Sequence, residues 1–202
     1  MPNAGQLTPK GQRTRERNVE AAADLMLRQG YAGTTLDDVK AAAGVGSSQL
    51  YHYFDGKADL VQAIIARHTE LIVARHEALL RELDTLAALR DWRDFVVGTQ
   101  RSLDCRGGCP IGSLGSEVAE YDEMAREAIS ASICRWEAAL REGLGRLRDS
   151  GALSPDVEPA ALALSLIVAL QGGLLLGKIH RSPAPLEVAL DTALAYVASF
   201  AT

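Results

Sequence analysis

The sequence predicts an all-α chain: an N-terminal three-helix domain containing a helix-turn-helix, with a larger helical domain behind it. Three observations predict it. Alanine and leucine are abundant while aromatics make up only 5% of the residues, a bias toward helices over strands. Apolar residues recur at helical spacing in segment after segment, and nothing alternates with period two over a useful length. Two short helical patterns are separated by a Gly-Val-Gly turn at residues 44–46, the spacing of a helix-turn-helix. At 202 residues, 48% hydrophobic and 23% charged, the chain is long enough to bury one small domain and one larger one. The boundary is placed between them at 1–56 and 57–202.

Each element follows from local pattern. Met1 to Gln12 is rich in Pro, Gly and polar residues and reads as a loose arm. From Arg13, the residues Val19, Ala22, Ala23, Met26 and Leu27 form one face of a helix that Gly30 stops. Thr35 reads as the cap of the next helix, with Asp38 three residues later as in a capping box. Leu36, Val39 and Ala43 share its face, and Gly44 supplies a left-handed end. The second short helix runs from about Ser47 to Tyr53, with Gly46 as N-cap and Val45 and Leu50 as a hydrophobic staple.

Asp55-Gly56 breaks the chain, and a long helix begins near Lys57, with Leu60, Ile64, Leu71 and Leu79 near one stripe. A further helix from about Asp91 carries Trp92, Phe95, Val96, Thr99 and Leu103 on one face. The glycine-rich segment Cys105 to Leu114 interrupts the pattern. Ile129, Ile133, Trp136, Leu140, Leu144 and Leu147 mark the next helix, and Cys134 is expected in its core. Gly151 and Ser154-Pro155 end it. Two last helices are predicted over Pro159 to about His180 and over Pro185 to Phe200.

The formal net charge of −5 argues against non-specific coating of nucleic acid. Its distribution is uneven: residues 1–57 hold seven Lys/Arg and six Asp/Glu, residues 58–202 fourteen and twenty. Lys10, Arg13, Arg15 and Arg17 stand against Glu16 alone among the first eighteen residues. This basic start is either a localised phosphate contact or a solvated tail. The polar N-terminus has no apolar secretory core, and three cysteines fit a reducing compartment, so a cytoplasmic location is expected.

Ala160 to Gly177 holds eighteen residues without a charge. A membrane span is rejected: Ser165, Gln171 and three glycines dilute the stretch, and interfacial aromatics are missing. A helix apolar on nearly all sides is a buried one. Ala169, Gly173 and Gly177 permit close approach of another helix, and Leu186, Leu190, Ala193, Leu194 and Val197 offer a partner stripe. Two such helices from each of two subunits make a four-helix bundle about a two-fold axis. The same pattern also suits a core helix within one chain.

The stretch Gly33-Thr34-Thr35-Leu36-Asp37-Asp38-Val39, then Ala43-Gly44-Val45, Leu50-Tyr51-His52-Tyr53-Phe54 and Lys57-Ala58-Asp59-Leu60, resembles the DNA-binding domain of the TetR family of regulators. Cys109-Pro110-Ile111-Gly112-Ser113-Leu114 with Glu117 and Trp136-Glu137 resembles the ligand-binding domain of the LmrA/YxaF-type branch. The resemblance implies a homodimeric repressor of double-stranded operator DNA that responds to a small-molecule inducer. Gly46 and Gln49 depart from the family's commonest residues there, which leaves the base sequence open.

The short second helix is expected in the major groove. Ser47, Ser48, Gln49 and His52 point outward, and Gln49 suits a bidentate pair with adenine. Tyr51, Tyr53 and Lys57 resemble the family's backbone-contacting positions. Thr35 at a helix N-terminus suits a phosphate, and Arg13 and Arg15 add contacts from the arm. For each of these residues the plainer role is packing or solvation.

A small, planar or hydrophobic inducer is expected among Trp92, Phe95, Thr99, Leu103, Cys109, Ile111, Leu114, Trp136 and Leu140, with Gln171 and Leu175 from the apolar helix. The same residue types also make ordinary core. Cys105 and Cys109, beside Arg106, give a rival thiol-based redox sensor against simple packing. Cysteine and histidine pairs at zinc spacing are missing, as are nucleotide-loop, H-E-x-x-H and G-x-S-x-G motifs. No catalytic residue, metal or cofactor is therefore expected, and the acidic cluster Glu117, Glu120, Asp122 and Glu123 reads as surface.

Overall fold

Most helices in the computed structural model start or stop at a residue whose chemistry accounts for it; the structure describes residues 7–202. The chain divides into two compact units. The first runs to His68 and includes Ser113–Ile129; the second holds Thr69–Gly112 and Ser130–Thr202. The first unit thus takes in the helix after residue 57 and a later segment that sequence alone assigns to the second domain.

In the first unit, α1 (Pro9–Gln29) starts earlier than expected. The Thr8 hydroxyl accepts the Gly11 N–H at 3.2 Å, and Pro9 fills the first position, where its missing N–H costs nothing. Residues 9–12 are therefore helical rather than a loose arm, and Arg13 and Arg15 project from a helix; residues 1–6 of the expected arm lie outside the described residues. Gly30, at φ 80°, closes α1 by donating to the Met26 carbonyl. Next come α2 (Leu36–Ala43) and α3 (Ser47–Tyr53), joined by the expected turn with Gly44 in the left-handed conformation. With α4 (Lys57–His68) they bury Val19, Met26, Val39, Leu50, Phe54, Leu60 and Ile64.

In the second unit, Thr69–Val73 forms a π-turn ahead of α5 (Ala74–Arg81). This turn corrects the expected stripe. A π-turn absorbs an extra residue and shifts the helical phase, so Leu71 and Leu79 are 55% and 41% exposed while Val73, His76 and Leu80 are buried. Thr85 caps α6 (Leu86–Ser102) by accepting the Ala88 N–H at 3.1 Å, five residues ahead of the expected start. The glycine-rich segment is shorter than expected. Asp104, Cys105, Gly107 and Gly108 all have positive φ, but from Pro110 the chain is helical again as α7 (Pro110–Val118).

Then follow α8 (Glu123–Asp149), α9 (Pro159–His180) and α10 (Ala184–Ala198). Among the described residues the only extended pairing is one antiparallel bridge, Leu153 with Ala201. Cys134 is exposed on α8 rather than in its core. The guanidinium of Arg93 on α6 forks onto Asp191 of α10 with two contacts of 2.8 Å, the bidentate geometry that arginine favours. Arg135 of α8 likewise bridges Glu77 and Glu70.

The helix α9 is long and apolar enough to cross a membrane, with mean hydropathy 2.1 over its richest window. It packs along α10 instead. Gly173 makes this approach possible: a Cβ there would lie 2.7 Å from the Leu186 Cα.

Candidate nucleic-acid interface

The surface is built from the caps outward. Thr35 makes a full capping box: its hydroxyl accepts the Asp38 N–H at 3.1 Å, and its own N–H donates to Asp38 Oδ2 at 2.9 Å. The hydroxyl also donates to that carboxylate at 2.6 Å, and these bonds hold Asp38 below the usual carboxylate range. Thr35 is thus committed to the cap, and a phosphate at this end must meet the Asp38 charge as well.

Leu50 and Phe54 are buried and fix the roll of α3. That roll leaves Ser47, Ser48, Gln49, Tyr51 and His52 exposed on one short helix. Ser47 is tied back to α2, where Lys40 Nζ donates to its Oγ at 2.9 Å and pairs with Asp37 at 2.6 Å. His52 meets the edge of Tyr53 with ring centroids 4.9 Å apart. Tyr53 is half-buried, its hydroxyl beside Gly11 of α1. The Arg15 guanidinium lies 5.2 Å over the Phe54 ring, while Arg13 is exposed. Lys57, half-buried, donates to the Tyr31 carbonyl at 2.5 Å and sits 4.0 Å over the Tyr31 ring. Burial pushes its pKa down, and the charge of Glu117 opposes that shift.

The residues expected to line a small-molecule site divide. Trp92, Trp136, Leu140, Ile111 and Cys109 are buried within the second unit. Phe95, Thr99 and Gln171 are half-buried, the Thr99 hydroxyl donating to the Phe95 carbonyl at 2.9 Å. Leu114 is buried in the first unit. Leu103 and Leu175 are 50% and 58% exposed and line no interior; Leu103 is the C-cap of α6, and Leu175 lies on the free side of α9.

Sequence reasoning missed His76, which carries no periodic signal. It sits against Trp136 with ring centroids 4.2 Å apart, and Phe95 is at 5.6 Å. Trp136 Nε1 is buried with no hydrogen-bond partner. Two surface grooves, of about 380 and 330 Å³, are lined by α6 with α10 and by α5 with α8. Neither includes a residue expected at the small-molecule site.

Cys105 and Cys109 are both buried. Cys109 Sγ accepts the Gly112 N–H at 3.3 Å and faces Gln171 Nε2 at 3.6 Å. Burial pushes its thiol up, and these bonds only partly oppose that. Of the two readings of Cys109, this agrees with packing and not with a thiol activated by Arg106, whose side chain is exposed.

Residues 83–193 match the family described as "Tetracyclin repressor-like, C-terminal domain", and residues 19–64 match "Bacterial regulatory proteins, tetR family". The chain belongs to the TetR family of transcriptional regulators. An HTH-type transcriptional regulator of Lactococcus lactis is 30% identical over 88% of this chain and 90% of its own. The repressor NemR of Escherichia coli K12 is 30% identical over 88% and 90%. The regulator AcuR of Cereibacter sphaeroides is 29% identical over 84% and 78%. A TetR-family crystal structure from Chloroflexus aurantiacus superposes with a TM-score of 0.82 at 30% identity, covering 96% of this chain and 98% of that one.

TetR-family regulators bind DNA and act as dimers. In this TetR-family chain Gly173, Gly177, Leu186, Leu190 and Val197, expected to face a second subunit, are buried within one chain. Ala169 and Leu194 are half-buried, the latter in the α6–α10 groove. The physical reason is economy of cover: α10 follows α9 after a short turn and fills its small-residue face first. What remains open is another face, with Leu164, Val168, Leu175 and Ile179 of α9 and Val188 and Tyr196 of α10 exposed.

Proposed function

We propose that the chain is a cytoplasmic repressor that binds a palindromic operator as a homodimer and leaves it when a small hydrophobic or aromatic inducer binds the second unit. The observation that carries this reading is the α3 surface. Leu50 and Phe54 anchor it, and Ser48, Gln49 and His52 stand exposed beside Tyr51, a donor and acceptor set suited to base edges in the major groove. Lys57 and Arg13 add charge for the phosphates. Two copies spaced about 34 Å apart, or a multiple of that, make the site specific.

Inducer recognition is assigned to Trp92, Phe95, Trp136, Leu140, Ile111 and Gln171. The unpartnered Trp136 N–H suits a ligand carrying one hydrogen-bond acceptor on an apolar body. Release works by linkage: the ligand prefers the arrangement that does not fit DNA. The open faces of α9 and α10 supply the subunit contact. The thiol alternative, with Cys105 and Cys109 as sensor, has burial and the raised Cys109 pKa against it.

Gel shift against the DNA flanking the chain's own gene tests the reading. Salt-sensitive, sequence-selective retardation is expected, and its absence overturns the repressor. Release by peroxide that a Cys105→Ser, Cys109→Ser variant does not show transfers the sensing role to the thiols.

A further inference from the structure

The residue Tyr31, in the link after α1, is held at both ends by opposite charges. Its N–H donates to Glu117 Oε2 at 2.6 Å. Its carbonyl accepts from Lys57 Nζ at 2.5 Å, and the same ammonium lies 4.0 Å over its ring. The Tyr121 ring, one turn beyond Glu117, leans against it with centroids 5.8 Å apart. An anion on the N–H and a cation on the carbonyl and ring face complement the polarity of that residue, and charge-assisted bonds of this kind are among the stronger ones in proteins.

The approach is built into the backbone. Gly30 ends α1 at φ 80°, and a Cβ there would stand 2.9 Å from Glu117 Oε2. The glycine that any helix end can use is here also the one residue that admits the carboxylate. All five groups lie in the first unit. The helix that carries Glu117 begins in the second: Pro110–Gly112 belongs there, and Ser113 onward to the first. In that first turn the Gly112 N–H donates to Cys109 Sγ, which also accepts from Gln171 Nε2 of α9.

We propose that Glu117 is a positioning residue for operator binding, acting through Tyr31 on Lys57. With Glu117 in place, the end of α1 and the start of α4 are tied together on either side of α2 and α3, so the reading helix is held at one angle and Lys57 at one place. When α7 withdraws Glu117, the Tyr31 N–H loses its acceptor and Lys57 loses its seat. The state of α7 is thereby reported at the DNA surface. This rests on the DNA-binding reading above.

The test uses the full chain with Glu117→Ala and Glu117→Gln, the second keeping a neutral acceptor for the Tyr31 N–H. Two readouts are taken: the amide signal and hydrogen exchange of Tyr31 by NMR, and affinity for the duplex flanking the chain's own gene across a salt series. In Glu117→Ala the Tyr31 amide shifts upfield and exchanges faster, and operator affinity falls about tenfold, with a shallower salt dependence because Lys57 is no longer seated. Glu117→Gln recovers part of both. A purely structural role would lower the melting temperature and leave the salt dependence unchanged. Wild-type affinity and salt slope in a folded Glu117→Ala overturn the proposal, as does an unshifted Tyr31 amide. If the wild-type chain itself binds no DNA, the operator reading fails while the amide result still reports on the Glu117–Tyr31 bond.

Discussion

The Trp92 indole Nε1–H donates to Nδ1 of His76 at 2.9 Å. The bond requires a bare Nδ1, so the imidazole is held neutral with its proton on Nε2. Burial first, and then the charge of Arg75, bring the His76 pKa down to about 4 from 6.5.

Acid should therefore weaken the fold in a defined window. Below pH 6.5 the unfolded chain takes up a proton that the folded chain refuses. Stability is full above 6.5, declines as the pH falls, and levels below about 4. At about 1.4 kcal/mol per pKa unit the whole loss is about 3 kcal/mol. His76→Asn keeps an acceptor for Trp92 and removes the titration. Urea unfolding at stepped pH should give a flatter profile for the variant, and an identical profile would contradict the assignment.

On the reading helix, Gln49→Ala should relax discrimination at one base pair of each half-site, by about 1–3 kcal/mol. Competition between operator variants measures it. Equal discrimination by both proteins would remove Gln49 from base recognition.

Adjacent glycines of α9 should respond with opposite signs. A Cβ at Gly173 meets the Leu186 backbone, and one at Gly172 meets nothing within 4 Å. Gly173→Ala must push α9 from α10 and should cost about 1–3 kcal/mol. In a chain kept single by Val168→Glu and Leu175→Glu, Gly172→Ala should gain about 0.5–1 kcal/mol from the lower chain entropy of alanine in a helix. Thermal melting of each variant beside its own parent chain distinguishes them.

Charge on the open α9 face should separate the subunits. The pair Val168→Glu and Leu175→Glu alters residues that are exposed in the single chain, so the fold is kept while a second copy is repelled. Light scattering should halve the mass, and operator affinity should fall with it. A dimeric double variant would move the interface elsewhere.

What was legible in the sequence is what neighbouring residues decide. The Thr35–Asp38 box, the Gly44 turn and the Leu50 and Phe54 anchors all act within a few residues, and they set which side of α3 stays exposed. Leu71 and Leu79 leave the stripe that helical periodicity predicts because the π-turn Thr69–Val73 shifts the phase there and leaves no mark in composition. The Glu117–Tyr31 bond spans 86 positions, and no local pattern announces it. The small-residue stripe of α9 was legible as a close-packed seam, but small residues alone do not say which helix fills it, and here it is the chain's own α10.

The open face of α9 has a consequence for how steeply such a switch responds. A chain that leaves Leu164, Val168, Leu175 and Ile179 uncovered on its own carries a standing incentive to pair. Under the two-fold assembly proposed above, the pairing equilibrium lies upstream of the operator. At low copy number, occupancy then rises with the square of chain concentration, and halving the copies removes three quarters of the pairs. The apolar helix would thus set a threshold abundance for silencing, independent of any inducer.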